Sequence, residues 1–168
     1  MPKRAGDESE DEDEEDDEKG IMASVEYICT LIDRETDEAQ VPLDRIVVGG
    51  FSQGCAISLL VGLISRYRGR LGGVVGLSGY LPLGKKVERM VSERAKVGDS
   101  STKWFLAHGT RDQLVPMRVF RAYREKLEGW EAGNVEAKVY EGMSHSTTGA
   151  EVRDLCYWLE KVLLEKAA

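Results

Sequence analysis

Strand-length apolar runs alternate with helix-length segments along most of this chain, and that alternation restricts its fold more than any other feature. The runs 46–49, 73–77 and 104–107 are continuous and apolar, as in strands that are buried on both faces. The run 135–140 instead alternates apolar and polar residues, as in a strand with one wetter face. Because parallel strands are joined by helical crossovers, we predict an α/β fold with about four mostly parallel strands and helices on both faces.

The segments between these runs show helical periodicity. The first helical stripe consists of Ile21, Val25, Ile28 and Ile32. It predicts an amphipathic helix that ends near Thr36. Further helices are predicted within 53–64, 85–96, 120–127 and 152–163. The last of them is preceded by a capping box from Thr148 to Glu151, which marks its beginning.

Charge is concentrated at the N-terminus. Residues 1–19 hold eleven Asp or Glu and three Lys or Arg, a local net charge of −8, whereas all 168 residues together carry −7. The run 11–18 repels itself and has nothing apolar to bury. We therefore predict a disordered acidic tail over 1–19 and one partial domain over 20–168. The tail is interpreted first as a solubilising segment, and a docking site for a basic partner is the alternative.

Composition excludes several classes of function. Residues 20–168 hold 20 basic and 19 acidic residues without a basic patch, so nucleic acid is not an expected partner. No apolar run approaches the roughly 20 residues that span a bilayer, and the acidic N-terminus is unlike a signal peptide, so we expect a cytoplasmic protein without a transmembrane segment. Cys29, Cys55 and Cys156 are odd in number and lack metal-type spacing. We predict that all three are reduced core residues, with no metal bound.

The segment Gly50-Phe51-Ser52-Gln53-Gly54 has the form GxSxG and lies between a predicted strand and a predicted helix. In that context the serine occupies a strained turn with its hydroxyl exposed, and small residues are expected on both sides of it. The backbone N–H of Gln53, at the start of the helix, is expected to donate to a developing oxyanion. The alternative is an ordinary turn between a strand and a helix, because the pattern alone also arises by chance.

A serine nucleophile needs a base and a group that orients the base. The chain has two histidines, and His145 follows the last predicted strand while His108 ends the strand before it. Asp112 lies in the loop after that earlier strand, which gives the chain order serine, aspartate, histidine. We expect Ser52 to be the nucleophile, Asp112 the acid and His145 the base, with His108 structural. The alternatives are that Asp112 is a turn residue before 115–116 and that His145 is a solvated loop residue.

Four motifs resemble one known family, in the same order. They are RIVVGGFSQG at 45–54, LSGYLPL at 77–83, HGTRDQLVP at 108–116 and YEGMSHS at 140–146. They are similar to the acyl-protein thioesterase and lysophospholipase branch of the phospholipase/carboxylesterase family, whose fold is that of the α/β-hydrolases. The resemblance implies that Ser52, Asp112 and His145 are the catalytic residues. It also implies S-acylated proteins or other fatty acyl esters as substrates, a cytosolic location, and no metal or organic cofactor.

The part of the chain before Ile21 departs from the family pattern. Family members begin with further strands, one of which is followed by a His-Gly-x-Gly-Asp loop that supplies a second oxyanion N–H, and no such loop is found here. We therefore expect a truncated α/β-hydrolase whose strand at 46–49 has an exposed edge. That edge is expected to aggregate or to pair with another chain, and a homodimer formed through it is the partner that the sequence suggests.

Two classes of function follow from these observations. The first is a serine hydrolase that cleaves acyl thioesters or esters through an acyl-Ser52 intermediate; a generic small-ester esterase shares that chemistry. The second is a catalytically impaired homologue that binds acylated proteins or pairs with a partner through its open edge. A lost oxyanion donor typically costs about 10²–10³ in rate, so the first class includes a slow enzyme.

Overall fold

The computed structural model describes residues 18–94, 100–131 and 133–164. Its elements in chain order are α1 (Glu18–Asp37), a 3₁₀ turn (Leu43–Arg45), β1 (Val47–Phe51), α2 (Gln53–Ile64), β2 (Gly73–Leu77), α3 (Gly84–Arg94), β3 (Lys103–Gly109), α4 (Met117–Trp130), β4 (Val135–Tyr140) and α5 (Gly149–Leu164). The predicted acidic tail over 1–19 lies outside the described residues except for Glu18 and Lys19. Those two residues are helical and begin α1, so for them the prediction of disorder is wrong.

The four strands form one sheet in the order β1-β2-β3-β4, and all three neighbouring pairs are parallel. The predicted α/β fold is therefore confirmed. Because spatial order follows chain order, each helical crossover moves the chain by one position in the same direction. The carboxyl ends of the strands, and the loops that follow them, consequently share one rim of the sheet.

Helices cover both faces of the sheet, as predicted, but unequally. On one face α2, α3 and α4 enclose a core that includes the fully buried Trp104 and Phe120, and α1 packs onto α2. On the other face α5 is the only one of the described helices that packs against the sheet, and its Trp158 contacts Phe105 with ring centroids 5.7 Å apart. Burying such a side chain contributes about 1.5–3 kcal/mol, so these contacts hold the layers together.

Both edge strands are less buried than the sequence predicts. The prediction that 46–49 is buried on both faces is wrong, because β1 is an edge of the sheet and Gly49 is exposed. In β4 the expected alternation fails at its end, where Val139 is 44% exposed and the neighbouring Lys138 is less exposed. β4 is the opposite edge of the sheet, so neither of its faces is fully covered.

The cysteines divide into two environments. Cys29 and Cys55 are buried, as predicted, and burial raises the pKa of the Cys55 thiol to about 12, which leaves it unreactive at neutral pH. Cys156 is exposed, so the prediction that it is a core residue is wrong. It lies on the outer side of α5, whose inner side is occupied by Trp158 and Val162.

Glu151 is a fully buried acid in the first turn of α5. Its backbone N–H donates to Thr148 Oγ1 at 3.3 Å, which is half of the predicted capping box. Neither carboxylate oxygen makes a hydrogen bond to the described part of the chain. Burial raises the pKa of the Glu151 carboxyl, and the nearby backbone N–H of Thr148 offsets only part of that effect.

We expect Glu151→Gln to stabilise the protein at neutral pH but not in acid. With its pKa raised on folding, Glu151 binds its proton more tightly in the native state, so stability falls as pH rises from the unfolded pKa through the folded one. A gain of about 1 kcal/mol would raise Tm by roughly 2–4 °C near pH 7.5 and vanish near pH 4. Thermal unfolding at both values checks this, with the exposed Glu160→Gln on the same helix as control. An equal gain at both pH values would contradict it.

Candidate active site

Ser52 occupies a strained turn between β1 and α2. Its backbone has φ 56° and ψ −117°, a region that costs a residue with a side chain about 1–3 kcal/mol. A Cβ added to Gly50 would lie 2.2 Å from the backbone carbonyl carbon of Gly54, so only glycine at 50 lets the turn close. A Cβ added to Gly54 would meet nothing within 4 Å. The expectation that the turn needs a small residue on both sides of the serine therefore does not hold at Gly54, since its backbone and not its missing side chain makes the contact.

Three side chains from separate loops form one chain of hydrogen bonds. His145 Nε2 lies 3.0 Å from Ser52 Oγ, and His145 Nδ1 lies 2.8 Å from Asp112 Oδ2. An ionised carboxylate only accepts, so Nδ1 carries the proton and Nε2 is free to accept from the serine hydroxyl. The structure thus brings together the three residues that the sequence singled out.

The loop that carries Asp112 is shaped around its carboxylate. Asp112 Oδ1 accepts hydrogen bonds from the backbone N–H groups of Leu114 at 2.9 Å and Val115 at 2.8 Å, and the side chain is buried. Burial by itself raises the pKa of this carboxyl, but the hydrogen bonds from Val115, His145 and Leu114 outweigh it and hold the pKa below the ordinary value. Asp112 is therefore ionised at neutral pH, and its negative charge stabilises a positive charge on the imidazole of His145.

His108 lies behind this loop and not in the hydrogen-bonded chain. It is fully buried, its ring stacks on Phe120 with centroids 4.8 Å apart, and its Nε2–H donates to the Val115 carbonyl at 2.8 Å. Its Nε2 is 3.7 Å from Asp112 Oδ2, too far for a hydrogen bond. His108 therefore has a structural position, in which its hydrogen bond to Val115 holds the loop that carries Asp112.

The acid loop and the base loop are joined by hydrogen bonds from backbone N–H groups, which the sequence did not suggest. Thr110 N–H donates to the Tyr140 carbonyl at 3.0 Å, and Gly142 N–H donates to Thr110 Oγ1 at 2.8 Å. Arg111 N–H donates to the Met143 carbonyl at 3.0 Å. These bonds fix the spacing between Asp112 and His145 independently of the contact with Ser52.

The base loop also has to reach across the sheet. β1 and β4 are three strand spacings apart, about 14 Å, so His145 contacts Ser52 only because its loop turns back over β3 and β2. Gly109 permits this path, since a Cβ there would lie 2.1 Å from the Met143 carbonyl oxygen. Phe51 then packs against the His145 ring, with centroids 4.8 Å apart. The only sequence signal for these contacts was the glycine after His108.

Gln53 is the first residue of α2, so its backbone N–H has no partner within the helix. It directly follows Ser52, at the positive end of the helix dipole. Within the ranges that the structure describes, no group of three or more His, Cys, Asp or Glu side chains is arranged around a metal-sized position.

The model of the Phospholipase/Carboxylesterase family matches residues 6–163 of this sequence. The chain belongs to the phospholipase/carboxylesterase family. Among its curated relatives, the acyl-protein thioesterase 1 of Yarrowia lipolytica is 40% identical over 150 residues, which cover 89% of this chain and 63% of that protein. The acyl-protein thioesterase 1 of Aspergillus fumigatus is 37% identical over 88% of this chain and 59% of its own length. The chain therefore spans about three fifths of the length of these relatives.

Solved structures of other proteins share the fold. Arabidopsis thaliana SOBER1 superposes with a TM-score of 0.72 at 26% identity, over 88% of this chain and 66% of that one. Zea mays acyl-protein thioesterase 2 superposes equally well, with a TM-score of 0.72 at 27% identity over 86% of this chain and 65% of that one. None of the helices in the described ranges combines the length and the apolarity of a membrane span.

Proposed function

We propose that this chain is a serine hydrolase that cleaves acyl thioesters or esters through an acyl intermediate on Ser52. The observation that carries the proposal is the hydrogen-bonded chain from Ser52 Oγ through His145 to Asp112. A serine hydroxyl is a weak nucleophile at neutral pH unless a base stands within hydrogen-bond distance of it. At 3.0 Å, His145 Nε2 is close enough to take that proton.

The reaction has two steps of the same kind. His145 takes the Ser52 proton as Oγ attacks the acyl carbon, and the imidazolium then returns the proton to the leaving thiol or alcohol. A water next takes the place of the serine hydroxyl: His145 accepts its proton, the hydroxide attacks the acyl-serine, and Ser52 leaves with the proton. In both steps the buried carboxylate of Asp112 orients the ring and stabilises its positive charge.

We assign the oxyanion of each tetrahedral intermediate to the backbone N–H of Gln53. That group is unpaired within α2 and lies next to the nucleophile at the end of the helix where negative charge is favoured. The proposed steps use only side chains, backbone groups and water. The substrates that we propose are S-acylated proteins or fatty acyl esters, because the relatives that cover most of this chain are named acyl-protein thioesterases.

A fluorophosphonate probe tests the proposal directly, since it reacts with an activated serine and does not require the natural substrate. We expect the purified chain to be labelled on Ser52, and we expect Ser52→Ala to remain unlabelled. Circular dichroism of both proteins establishes that they are folded. Folded wild-type protein that takes no label would leave only the binding function expected for an impaired homologue, and equal labelling of Ser52→Ala would place the reactive group at another residue.

The two histidines of the chain give an internal comparison. We expect His145→Leu to lose labelling, because no other described imidazole lies within reach of Ser52. His108→Leu keeps the base and is expected to retain labelling while losing about 1–3 kcal/mol of stability, since the buried Val115 carbonyl loses its partner. Labelling rates and urea unfolding of the two variants check this. Loss of labelling in folded His108→Leu with normal labelling of His145→Leu would reverse the assignment.

We also propose a cytosolic location and no nucleic acid partner. The thiols of Cys29, Cys55 and Cys156 are free, as expected in a reducing compartment. Cell fractionation of the tagged protein tests the location.

A further inference from the structure

The base loop, residues 141–148, carries His145 from β4 to α5. It begins after Tyr140, the last residue of β4, and ends at Thr148, directly before α5. The Tyr140 hydroxyl donates a hydrogen bond of 3.0 Å to Asp154 Oδ2, in the second turn of α5. One side-chain hydrogen bond therefore closes the base loop across its two ends.

Tyr140 is held by its ring and by its backbone as well as by its hydroxyl. The ring packs beside the apolar cluster that contains Trp158, on the face of the sheet that α5 covers. The backbone carbonyl accepts hydrogen bonds from Thr110 N–H, in the acid loop, at 3.0 Å and from Met143 N–H at 3.4 Å. Tyr140 therefore connects the acid loop, the base loop and α5.

The donor and the acceptor of this bond are both fixed. Burial, the hydrogen bond to Asp154 and the charges of Asp154 and Glu151 raise the pKa of the Tyr140 hydroxyl, against a smaller opposing effect of Arg153. The hydroxyl therefore stays protonated and donates at neutral pH. Asp154 Oδ1 lies 3.5 Å from Arg153 Nη2, so Oδ2 is left to accept from Tyr140.

The two halves of the base loop have different supports. The first half is bonded to the acid loop, since the Met143 carbonyl accepts from Arg111 N–H at 3.0 Å. At the other end the Thr148 carbonyl accepts from Val152 N–H at 3.0 Å, which joins the second half to α5. His145 lies between the two halves, so its position depends on where α5 stands relative to the acid loop.

We propose that Tyr140 and Asp154 are positioning residues for the base, and that their hydrogen bond is a clamp that sets the place of His145 relative to Ser52. His145 meets Ser52 through a hydrogen bond of 3.0 Å, and a displacement of about 1 Å at such a contact can cost about 10²-fold in rate. Without the clamp, α5 and the second half of the base loop shift against β4 while the sheet stays intact. The effect on rates rests on the proposed function, whereas the effect on the His145 ring does not.

Tyr140→Phe tests the donor of the clamp, because it removes the hydroxyl and keeps the ring that packs on the sheet. We expect it to slow fluorophosphonate labelling of Ser52 by about tenfold or more. The matched control, Tyr157→Phe, removes the same group from a tyrosine that is 63% exposed on α5, and should label within about twofold of the wild type. Thermal unfolding establishes that both variants are folded.

The acceptor gives a second test with a conservative variant. Asp154→Asn keeps an oxygen that can accept from Tyr140 and should label within about threefold of the wild type, whereas Asp154→Ala removes the acceptor and should be as slow as Tyr140→Phe. The double variant Tyr140→Phe/Asp154→Ala should be no slower than the slower single variant, because both changes remove the same bond. Losses that multiply in the double variant would show that the two residues act separately and would overturn the clamp.

The imidazole itself gives a readout that does not require catalysis. The chain has two histidines, so isotope-labelled histidine in the tag-free protein gives magnetic resonance signals from the rings of His145 and His108 alone. We expect Tyr140→Phe and Asp154→Ala to shift or broaden the His145 signals. The signals of His108, which lies behind the acid loop, should stay unchanged, whereas a general loss of structure would change both.

Two further results would overturn the clamp. One is folded Tyr140→Phe that labels within about twofold of the wild type. The other is a set of His145 signals that stays unchanged in both Tyr140→Phe and Asp154→Ala. If the folded wild-type protein takes no label, the proposed hydrolase fails, and the His145 signals alone then decide whether the clamp positions the ring.

Discussion

Asp112→Asn is expected to slow the labelling of Ser52 and the hydrolysis of acyl esters by about four orders of magnitude, with the fold intact. The backbone donors of Leu114 and Val115 would keep the amide oxygen where Oδ1 now lies. The amide nitrogen then faces His145 and donates to Nδ1, so the ring proton moves to Nε2. In that tautomer Nε2 cannot accept the proton of Ser52.

Gln113→Ala is the control for this variant, because Gln113 is exposed in the same loop. We expect its labelling rate to lie within about twofold of the wild type, as for a surface change outside the hydrogen-bonded chain. The measurement is the second-order labelling rate at neutral pH, together with thermal unfolding. An Asp112→Asn rate within tenfold of the wild type would show that the carboxylate does not set the tautomer of the base.

Gly50→Ala is expected to cost about 3 kcal/mol or more and to lower Tm by roughly 6–12 °C. Its Cβ would overlap the Gly54 carbonyl carbon at 2.2 Å, and backbone atoms of an adjoining helix cannot rotate away as a side chain can. The turn would have to open, which moves Ser52 away from His145. Labelling should therefore fall more steeply than stability alone explains.

Gly54→Ala provides the matched comparison, since its Cβ would enter open space in the first turn of α2. We expect its stability to change by no more than about 1 kcal/mol, because alanine favours a helix over glycine by that amount. Urea unfolding of the two variants measures the difference. Equal losses at both glycines would mean that the close approach of 50 to 54 does not hold the turn shut.

The fold was predictable because its signals are local and repeated. Each buried strand is a short apolar run, and each crossover helix carries its own apolar stripe, so every unit gives the same answer. The failures are at the edges. The exposed edge of β1 was expected, but the partial exposure of its faces was not, because an apolar run has the same pattern whether or not both faces of its strand are covered. The prediction that Cys156 is a core residue was wrong for a similar reason. No other described helix packs over α5, so the side of α5 that faces away from the sheet is exposed.

The positions of Ser52, Asp112 and His145 were predictable from chain order, because loops that follow parallel strands share one rim. The contacts that set their spacing were not. The hydrogen bond from His108 to Val115 and the bonds between the acid and base loops join residues far apart in sequence, and backbone groups leave no trace in residue type. The burial of Glu151 was the least predictable feature, since the glutamate of a capping box is ordinarily partly exposed to solvent, whereas here the fold buries it.

Ser52 follows β1, whereas Asp112 and His145 follow β3 and β4 and are held to each other. The acid and base loops are joined by two main-chain hydrogen bonds and by a third bond to Thr110 Oγ1. Ser52 follows an edge strand and contacts the base through one hydrogen bond, to which Phe51 adds a ring contact. β1 and β4 are both edge strands, but fewer contacts join β1 to the base than join the acid and base loops, so mild denaturant should separate Ser52 from His145 while the remaining sheet stays native. Loss of reactivity would then precede loss of ellipticity, and the two curves would separate instead of coinciding.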